Sequence, residues 1–560
     1  VNDARPENFA TQFELIADLA PDRPAVFCGN RSLTFGELDA LAGQLASHLD
    51  ALGIRDGDRV GIAARNSPDY LVALTGLFKM GGVPFNINYR YRAAEIRHLL
   101  AETRARGVIA DAEFAGPVRA AAAGLPDCGA LVMIGEAGFG PEVTAAPRHP
   151  RRERGDAEWL LFTGGTTGYP KAVRGSHSER LAAVRAMCGL DLGIDPAAGA
   201  EGLRQALAVD PYGPGGVIHL PAPPLMHGTG LYTALGSLAV AAPVVLLAGA
   251  RMSGADLLDA VARHQVTDLT LVGDAFGLLL LDTLDAEPER AGRLHRLRRI
   301  RSVGATWSPP VKDRLLAHLD VVLMDTIASS EGGPYAMSRV DRTSPPAEHG
   351  TFVLAPGARL LGPDGRDVVP GSGAIGILAF PAAPGSGYDG HPESTAQAFR
   401  DIDGLRYSMP GDLARLDANG RLELLGRSSS VINTGGEKVY PGEVESTLLD
   451  HPAVRDAVVV GVPDPRWGSA VAAVVVVQED SAAAGPAELA AFVSGRLASY
   501  KKPRRVVIVD EIQRLNTGKP DLAWAAAQFT RPEANAPQAG SARAADRTGP
   551  QIRGPRKGTR

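Results

Sequence analysis

Cysteine is scarce in this chain: its 560 residues include three, Cys28, Cys128 and Cys188. An odd number so widely spaced excludes a disulfide framework and a zinc site, and a reducing cytosol is the expected setting. Long apolar runs are missing as well. The stretch from Ala239 to Ala248 is short and broken by Pro243, and no basic start leads into a long apolar segment near Val1. Neither a membrane span nor a leader is expected. An excess of one charge sign is also lacking, with net charge −5 and 22% charged residues, so neither nucleic acid nor acidic membrane is implied as a partner. With 45% hydrophobic residues, the chain can build ample cores and is expected to form several domains of an ordinary soluble protein.

What the chain does carry is a loop suited to phosphate. Phe162-Thr163-Gly164-Gly165-Thr166-Thr167-Gly168-Tyr169-Pro170-Lys171 sets glycines, threonines and a lysine between an apolar run and a polar segment. Glycines let backbone amides approach an anion, while hydroxyls and a lysine add donors and charge. A Walker A loop is disfavoured, because there the lysine precedes Ser or Thr and opens a helix, whereas Lys171 stands between Pro170 and Ala172.

Further segments are ambiguous one at a time. Pro224-Leu225-Met226-His227-Gly228-Thr229-Gly230 offers a histidine that alone reads as a packed structural residue. Ser302-Val303-Gly304-Ala305-Thr306-Trp307-Ser308-Pro309 alone reads as a strand-to-helix turn. Asp325-Thr326-Ile327-Ala328-Ser329-Ser330-Glu331 ends in a carboxylate that suits a helix start or a hard cation. Tyr407-Ser408-Met409-Pro410-Gly411-Asp412, the run Gly426 to Pro441 containing Arg427 and Gly435-Gly436-Glu437-Lys438, and Leu515-Asn516-Thr517-Gly518-Lys519-Pro520 complete the series.

In this order, between about residues 160 and 520, the blocks resemble those of the AMP-forming adenylating enzymes, the superfamily of acyl-CoA synthetases, luciferases and peptide-synthetase adenylation domains. The resemblance implies roles for individual residues. Thr163, Gly164, Gly165, Thr166, Thr167, Gly168 and Lys171 would cradle the phosphates of ATP, with Thr167 and Glu331 toward Mg2+. Gly304, Ala305 and Thr306 would lie along the adenine, and Asp325 and Ser329 would join the nucleotide site. The Ser330 hydroxyl would face the α-phosphate, Asp412 would accept from both ribose hydroxyls, and Arg427 would contact the nucleotide. His227 would stand between acyl pocket and acceptor channel. Lys519 would enter the site to stabilise charge during adenylation. Gly435 and Gly436 would line the pantetheine tunnel for CoA, with Lys438 beside them.

Some positions depart from the common pattern: Ile327 replaces an aromatic, Ala328 a glycine, Pro410 a threonine, and Ser429 the usual acidic or basic pivot. The combination looks like that of bacterial acyl-CoA synthetases that activate steroid side-chain carboxylates, which share the serine hinge and the isoleucine. Ala172 and Arg174-Gly175 differ even from those.

The implied fold class is α/β: a large N-terminal domain of α/β subdomains (1–426) with a small β-barrel-like subdomain at about 348–425, a hinge at 427–430, a small mobile α+β lid at 431–527 and a disordered tail at 528–560. The texture agrees. Apolar runs alternate with helix-like segments from Leu33 to Ile109 and again from Val244 to Met324, Gly/Pro/Asp turns punctuate 348–425, and Pro, Ala, Gly and Arg dominate beyond Phe529. Motifs follow several strands, where ligands gather in open α/β sheets.

The implied activity has two halves. A carboxylate attacks the α-phosphorus of ATP and expels magnesium pyrophosphate; the CoA thiol then attacks the acyl-adenylate and AMP leaves. The partners are a small carboxylic acid (fatty, steroid side-chain or aromatic) and CoA, with a homodimer left open. An acceptor other than CoA (an amine, a carrier-protein thiol or nitrite) fits the same fold, as does a catalytically silent nucleotide binder. Val272, Gly273, Asp274 and Ala275 are candidate pocket residues. Asp274 reads either as a recognition group for a polar substituent or as a helix cap.

Overall fold

A computed structural model describes residues 8–163, 170–189, 193, 199–249, 252–305, 307–427, 430–434, 437–464, 467–478, 484–515 and 518–529. Two α/β sheets make up the bulk of the N-terminal part. The first has the strands Val83–Asn86, Arg59–Ala63, Gly107–Asp111 and Ala130–Gly135 side by side and parallel, closed at one edge by the antiparallel Gly138–Phe139. Its helices begin where the sequence supplies caps. Ser67 accepts from the Tyr70 amide with Pro68 at the first helical position, and the helix Pro68–Met80 ends at Gly81 in the left-handed conformation. Thr34 and Glu37 form a reciprocal capping box for Phe35–Ala51, which satisfies two otherwise orphaned amides.

The second sheet has nine strands in the order Val353–Leu354, Gly332–Val340, Val322–Ser329, Arg299–Val303, Asp268–Leu271, His219–Pro221, Val244–Leu246, Pro24–Cys28 and Arg31–Thr34. The strands from Val322–Ser329 to Pro24–Cys28 are parallel, and the outer ones run antiparallel. One face is apolar throughout: Ile218, Leu220, Leu269, Leu271 and Ile300 pack with Leu257, Leu280 and Leu315 from three helices. The opposite face of the same strands is polar. There His219 lies buried between the hydroxyls of Thr270 and Ser237, each at 2.9 Å, and Asp268 is ion-paired with Arg299.

The hairpin Glu158–Thr163 and Lys171–Ser176 brings Thr163 opposite Lys171 and extends to the short strand Gly387–Tyr388. Lys171 therefore opens a strand rather than a helix. The β-rich segment is a six-stranded sheet, with Gly376–Pro381 at its centre and Leu422–Arg427 at an edge. Beyond it a five-stranded sheet, built on the long antiparallel pair Val454–Asp464 and Gly468–Val477, carries the helices Pro441–Leu449 and Pro486–Ser494 over its own valine-rich core. This is the smaller C-terminal domain. Of the expected hinge, Ser428 and Ser429 lie outside the described residues, as does most of the expected tail. No helix among the described residues is long and apolar enough to cross a membrane.

Candidate active site

The site assembles at the carboxyl ends of the central strands, where the hairpin, the β-rich sheet and the C-terminal domain meet. Gly164 to Tyr169, including the expected phosphate and metal residue Thr167, lie outside the described residues, but both stems of the loop are fixed. Asn86 receives the Phe162 amide at 2.7 Å and donates to the carbonyls of Phe162 at 3.0 Å and Met226 at 2.7 Å. One buried amide thus ties the phosphate-loop stem to the loop carrying His227. Nothing in the local sequence marks Asn86, whose partners are far away in the chain.

Lys171 donates from Nζ to Ser394 Oγ at 2.7 Å and lies 5.7 Å from the centre of the Tyr388 ring. The Tyr388 hydroxyl donates to Glu331 Oε1 at 2.5 Å. Burial first, and then the Glu331 charge, hold this phenol well above its ordinary pKa, so it is a donor at any physiological pH. Tyr388 was not singled out by the motifs. Glu331 and Ser330 form the turn between Val322–Ser329 and Gly332–Val340, where Ser329 faces Gly332. Arg180 donates to the Ser330 carbonyl at 3.2 Å. The Ser329 hydroxyl shares a hydrogen bond with Tyr335 at 3.2 Å, which continues to Ser408 at 2.9 Å. A Cβ on Gly332 would stand 2.3 Å from the Ser408 hydroxyl, so this turn requires glycine.

Asp412 and Arg427 face each other across two strands and pair at 3.2 Å. Asp412 raises the Arg427 pKa against the cost of desolvation, and Glu331 adds to the effect. Lys519 approaches this group from the C-terminal domain. Its ammonium pKa is lowered, by desolvation first and then by Arg427, against the opposing pull of Asp412 and Glu331. The residue is exposed to solvent. Four expected residues, Glu331, Asp412, Arg427 and Lys519, are therefore within electrostatic reach of one another.

Gly304 follows the central strand Arg299–Val303 with φ +97°, and a Cβ there would lie 3.4 Å from Thr229 Oγ1; Ala305 follows it and Thr306 lies outside the described residues. His227 is the half-buried residue that precedes the helix Gly228–Ala239. Lys438 is exposed on Glu437–Val439 opposite Asn433, and no described contact joins it to the cluster; Gly435 and Gly436 lie outside the described residues.

Asp325 corrects the sequence expectation. Its carboxylate pairs with Lys312 Nζ at 2.8 Å, both side chains buried, and Lys312 also donates to the His349 carbonyl at 3.0 Å. The strand directs this side chain under the sheet toward the helix Pro309–His318, so the carboxylate is a core group and is not available to a nucleotide. Asp274 is buried and accepts from the Ser308 amide at 2.8 Å, the residue that precedes that same helix. Burial pushes its carboxyl up to about 6, against the Ser308 hydrogen bonds.

The donor set fits Mg-ATP. Magnesium is commonly held by one or two carboxylates plus substrate phosphates rather than by a protein cage. Glu331 supplies one carboxylate beside cationic Lys171, Arg427 and Lys519, and no cluster of three acidic, histidine or cysteine ligands occurs among the described residues.

The AMP-binding enzyme pattern matches residues 13–380, and the pattern of the AMP-binding enzyme C-terminal domain matches 443–519. The chain belongs to the AMP-binding enzyme family. Among its relatives, a medium/long-chain-fatty-acid--CoA/3-oxocholest-4-en-26-oate--CoA ligase of Mycobacterium tuberculosis is 35% identical over 93% of this chain and 96% of its own length. The 3-oxocholest-4-en-26-oate--CoA ligase of Rhodococcus rhodochrous is 33% identical over 92% and 95%. Among solved structures, ATP-bound MatB from Rhodopseudomonas palustris superposes with a TM-score of 0.76 at 26% identity, covering 93% of this chain and 99% of that one. The similarity of this AMP-binding enzyme thus spans both domains.

Proposed function

We propose that this AMP-binding enzyme is a CoA ligase for a bulky aliphatic acid, a fatty acid or a steroid side-chain carboxylate, acting in the cytoplasm. What carries the reading is that Lys519 lies within electrostatic reach of Arg427, Asp412 and Glu331, because a binder without chemistry has no need of a lysine brought in from a second domain. The substrate class is supported by the relatives' activities. The three cysteines are all buried, in keeping with a reducing compartment.

In the first half-reaction a carboxylate oxygen attacks the α-phosphorus of ATP, and the bond to the bridging oxygen breaks to release pyrophosphate. Chemistry of this kind is largely positioning and charge stabilisation. Glu331, oriented by the Tyr388 hydroxyl, would hold Mg2+, which would supply neutralisation of phosphate charge when bound. Lys171 and the loop 163–168 hold phosphates, Ser330 faces the α-phosphate with Ser329 beside it, Asp412 and Arg427 fix the ribose side, and Gly304 to Thr306 bound the adenine. Lys519 offsets the charge that builds as pyrophosphate departs. In the second half-reaction the CoA sulfur attacks the acyl carbon and AMP leaves, with Gly435, Gly436 and Lys438 along the CoA path and His227 at the wall between channel and acyl pocket. Residues 1–426 form the body, 427–430 the hinge and 431–527 the lid.

The test is mass-resolved product analysis with Mg-ATP, fatty and steroid side-chain acids, and CoA, an amine or nitrite. AMP together with an acyl-CoA mass only in the CoA reactions is the expected result. AMP without thioester, or a product that depends on nitrite or amine, reassigns the acceptor.

A further inference from the structure

Three backbone contacts and one side chain tie the described residues around Lys519. Leu515, at the start of the turn that carries it, is 46% exposed. The Leu515 amide donates to the Lys519 carbonyl at 2.7 Å, the Gly518 amide donates to the Leu515 carbonyl at 2.9 Å, and Arg514 and Pro520 form an isolated antiparallel bridge. Gly518 has φ +81°, and a Cβ there would stand 3.3 Å from Val272 and 3.5 Å from Phe276 of the body. Gly518 therefore rests on the body at the start of the helix Gly273–Ala286. A lysine side chain has four rotatable bonds, and an error of about 1 Å in placing a charged group can cost on the order of 100-fold in rate.

One side chain bridges this turn to the lid sheet. Arg514 donates from Nη1 to the Gly518 carbonyl at 3.2 Å and from Nη2 to Asp456 Oδ2 at 2.5 Å. The Gly518 carbonyl belongs to the peptide bond that leads into Lys519, so fixing it fixes the direction in which the lysine leaves the turn. Asp456 lies where the register of Val454–Asp464 shifts against its partner strand. A bulge of this kind re-aims neighbouring side chains. Here Asp456 reaches the turn, while Arg455 pairs at 3.0 Å with Asp282 on the same body helix. The bulge thus serves docking through one residue and bracing through the next. Arg514 and Asp456 also lie within electrostatic reach of the buried Asp274 in that helix's first turn, so the brace is assembled where lid and body meet.

The geometry points to Arg514, anchored by Asp456, as a positioning residue that sets Lys519 for adenylation. This rests on the reading that Lys519 serves the first half-reaction. The planar guanidinium spans two acceptors at once, which a lysine at the same position cannot do in the same geometry.

The experiment measures the two half-reactions separately in the full-length enzyme: acid-dependent pyrophosphate release, and thioester formation from a supplied acyl-adenylate. Arg514→Ala is expected to lower the adenylation rate by about tenfold to a hundredfold, with the thioester half-reaction within about twofold of wild type. Asp456→Asn is expected to act in the same direction, and Arg514→Lys to recover part of the loss. The decisive variant is Arg514→Ala combined with Lys519→Ala. If Arg514 works through Lys519, the pair is no slower than Lys519→Ala alone, because residues acting as one unit are not additive. Full adenylation in Arg514→Ala with Lys519→Ala crippled overturns the brace alone. So does equal loss in both half-reactions, or an additive double variant, either of which would mark a purely structural residue. Full adenylation in Lys519→Ala overturns the functional reading itself and the brace with it.

Discussion

The Tyr388 hydroxyl donates a hydrogen bond of 2.5 Å to Glu331 Oε1 while its ring lies 5.7 Å from the Lys171 ammonium. One residue of the strand that extends the phosphate-loop hairpin thereby orients the expected magnesium carboxylate and borders the expected phosphate lysine. Tyr388→Phe keeps the ring and removes the donor. A hydrogen bond to a charged group is worth about 1.5–3 kcal/mol, so adenylation is expected to fall by roughly tenfold to a hundredfold. The loss should shrink as Mg2+ is raised in a titration of pyrophosphate release. An unchanged Mg2+ dependence would separate Tyr388 from the metal carboxylate.

Lys519→Ala is expected to reduce adenylation by about 10²–10³, the usual cost of removing a preorganised charge donor, while a supplied acyl-adenylate still yields thioester. The pH dependence has a definite direction. The Lys519 pKa is lowered by desolvation and by Arg427, and the charged form is the working one. Activity is therefore held below that pKa and lost as pH rises through it, so the alkaline limb of the adenylation profile falls earlier than for an ordinary lysine. The limb should be absent from the residual rate of Lys519→Ala.

Much of this site was legible because its residues come as short contiguous blocks, each at the end of a strand. The alternation expected from Val244 to Met324 is present: Val244–Leu246, Asp268–Leu271, Arg299–Val303 and Val322–Ser329 are strands separated by helices. What could not be read depends on pairings across long stretches of chain. Tyr388 reaches Glu331 across 57 residues and Asn86 reaches Met226 across 140, and neither has a local signature. Asp325 failed for a different reason. A strand residue points to one face or the other, and a block of letters does not say which face meets the ligand; the helix carrying Lys312 decides it.

The Lys312–Asp325 pair gives a prediction about folding rather than catalysis. Both side chains are buried, and the ammonium also lies 5.4 Å from the centre of the Trp307 ring and 5.6 Å from that of Phe352. Removing one partner leaves the other charge buried and unpaired, which typically costs about 3–5 kcal/mol. Asp325→Ala should lower stability by that order in a denaturant titration. If the folded fraction of the variant keeps the wild-type KM for ATP, the carboxylate is confirmed as a core group; a large rise in KM without loss of stability would return it to the nucleotide site.

A second buried group makes stability depend on acid. His177 is 1% exposed and packs edge-on against Phe78 at 4.3 Å and Phe9 at 5.6 Å, with Trp159 completing the cluster. Neither ring nitrogen has a hydrogen-bond partner among the described residues. Burial pulls its pKa down to about 4, below the ordinary histidine value, so between about pH 6.5 and pH 4 the unfolded chain binds a proton that the folded chain refuses. Stability is therefore intact above the unfolded pKa and declines as pH falls through this window, by on the order of 2–3 kcal/mol for this residue. His219, also held near 4 by burial, adds a second decline in the same range, although it is bonded to Ser237 and Thr270 and cannot be replaced without orphaning them. His177 has no such partners. His177→Phe should leave stability at pH 7.5 within about 1.5 kcal/mol of wild type, as a swap of similar volume within an aromatic cluster, and should flatten the decline toward pH 5. Melting curves at the two pH values decide it: an equal decline in wild type and variant would show that His177 is not the group that takes up the proton.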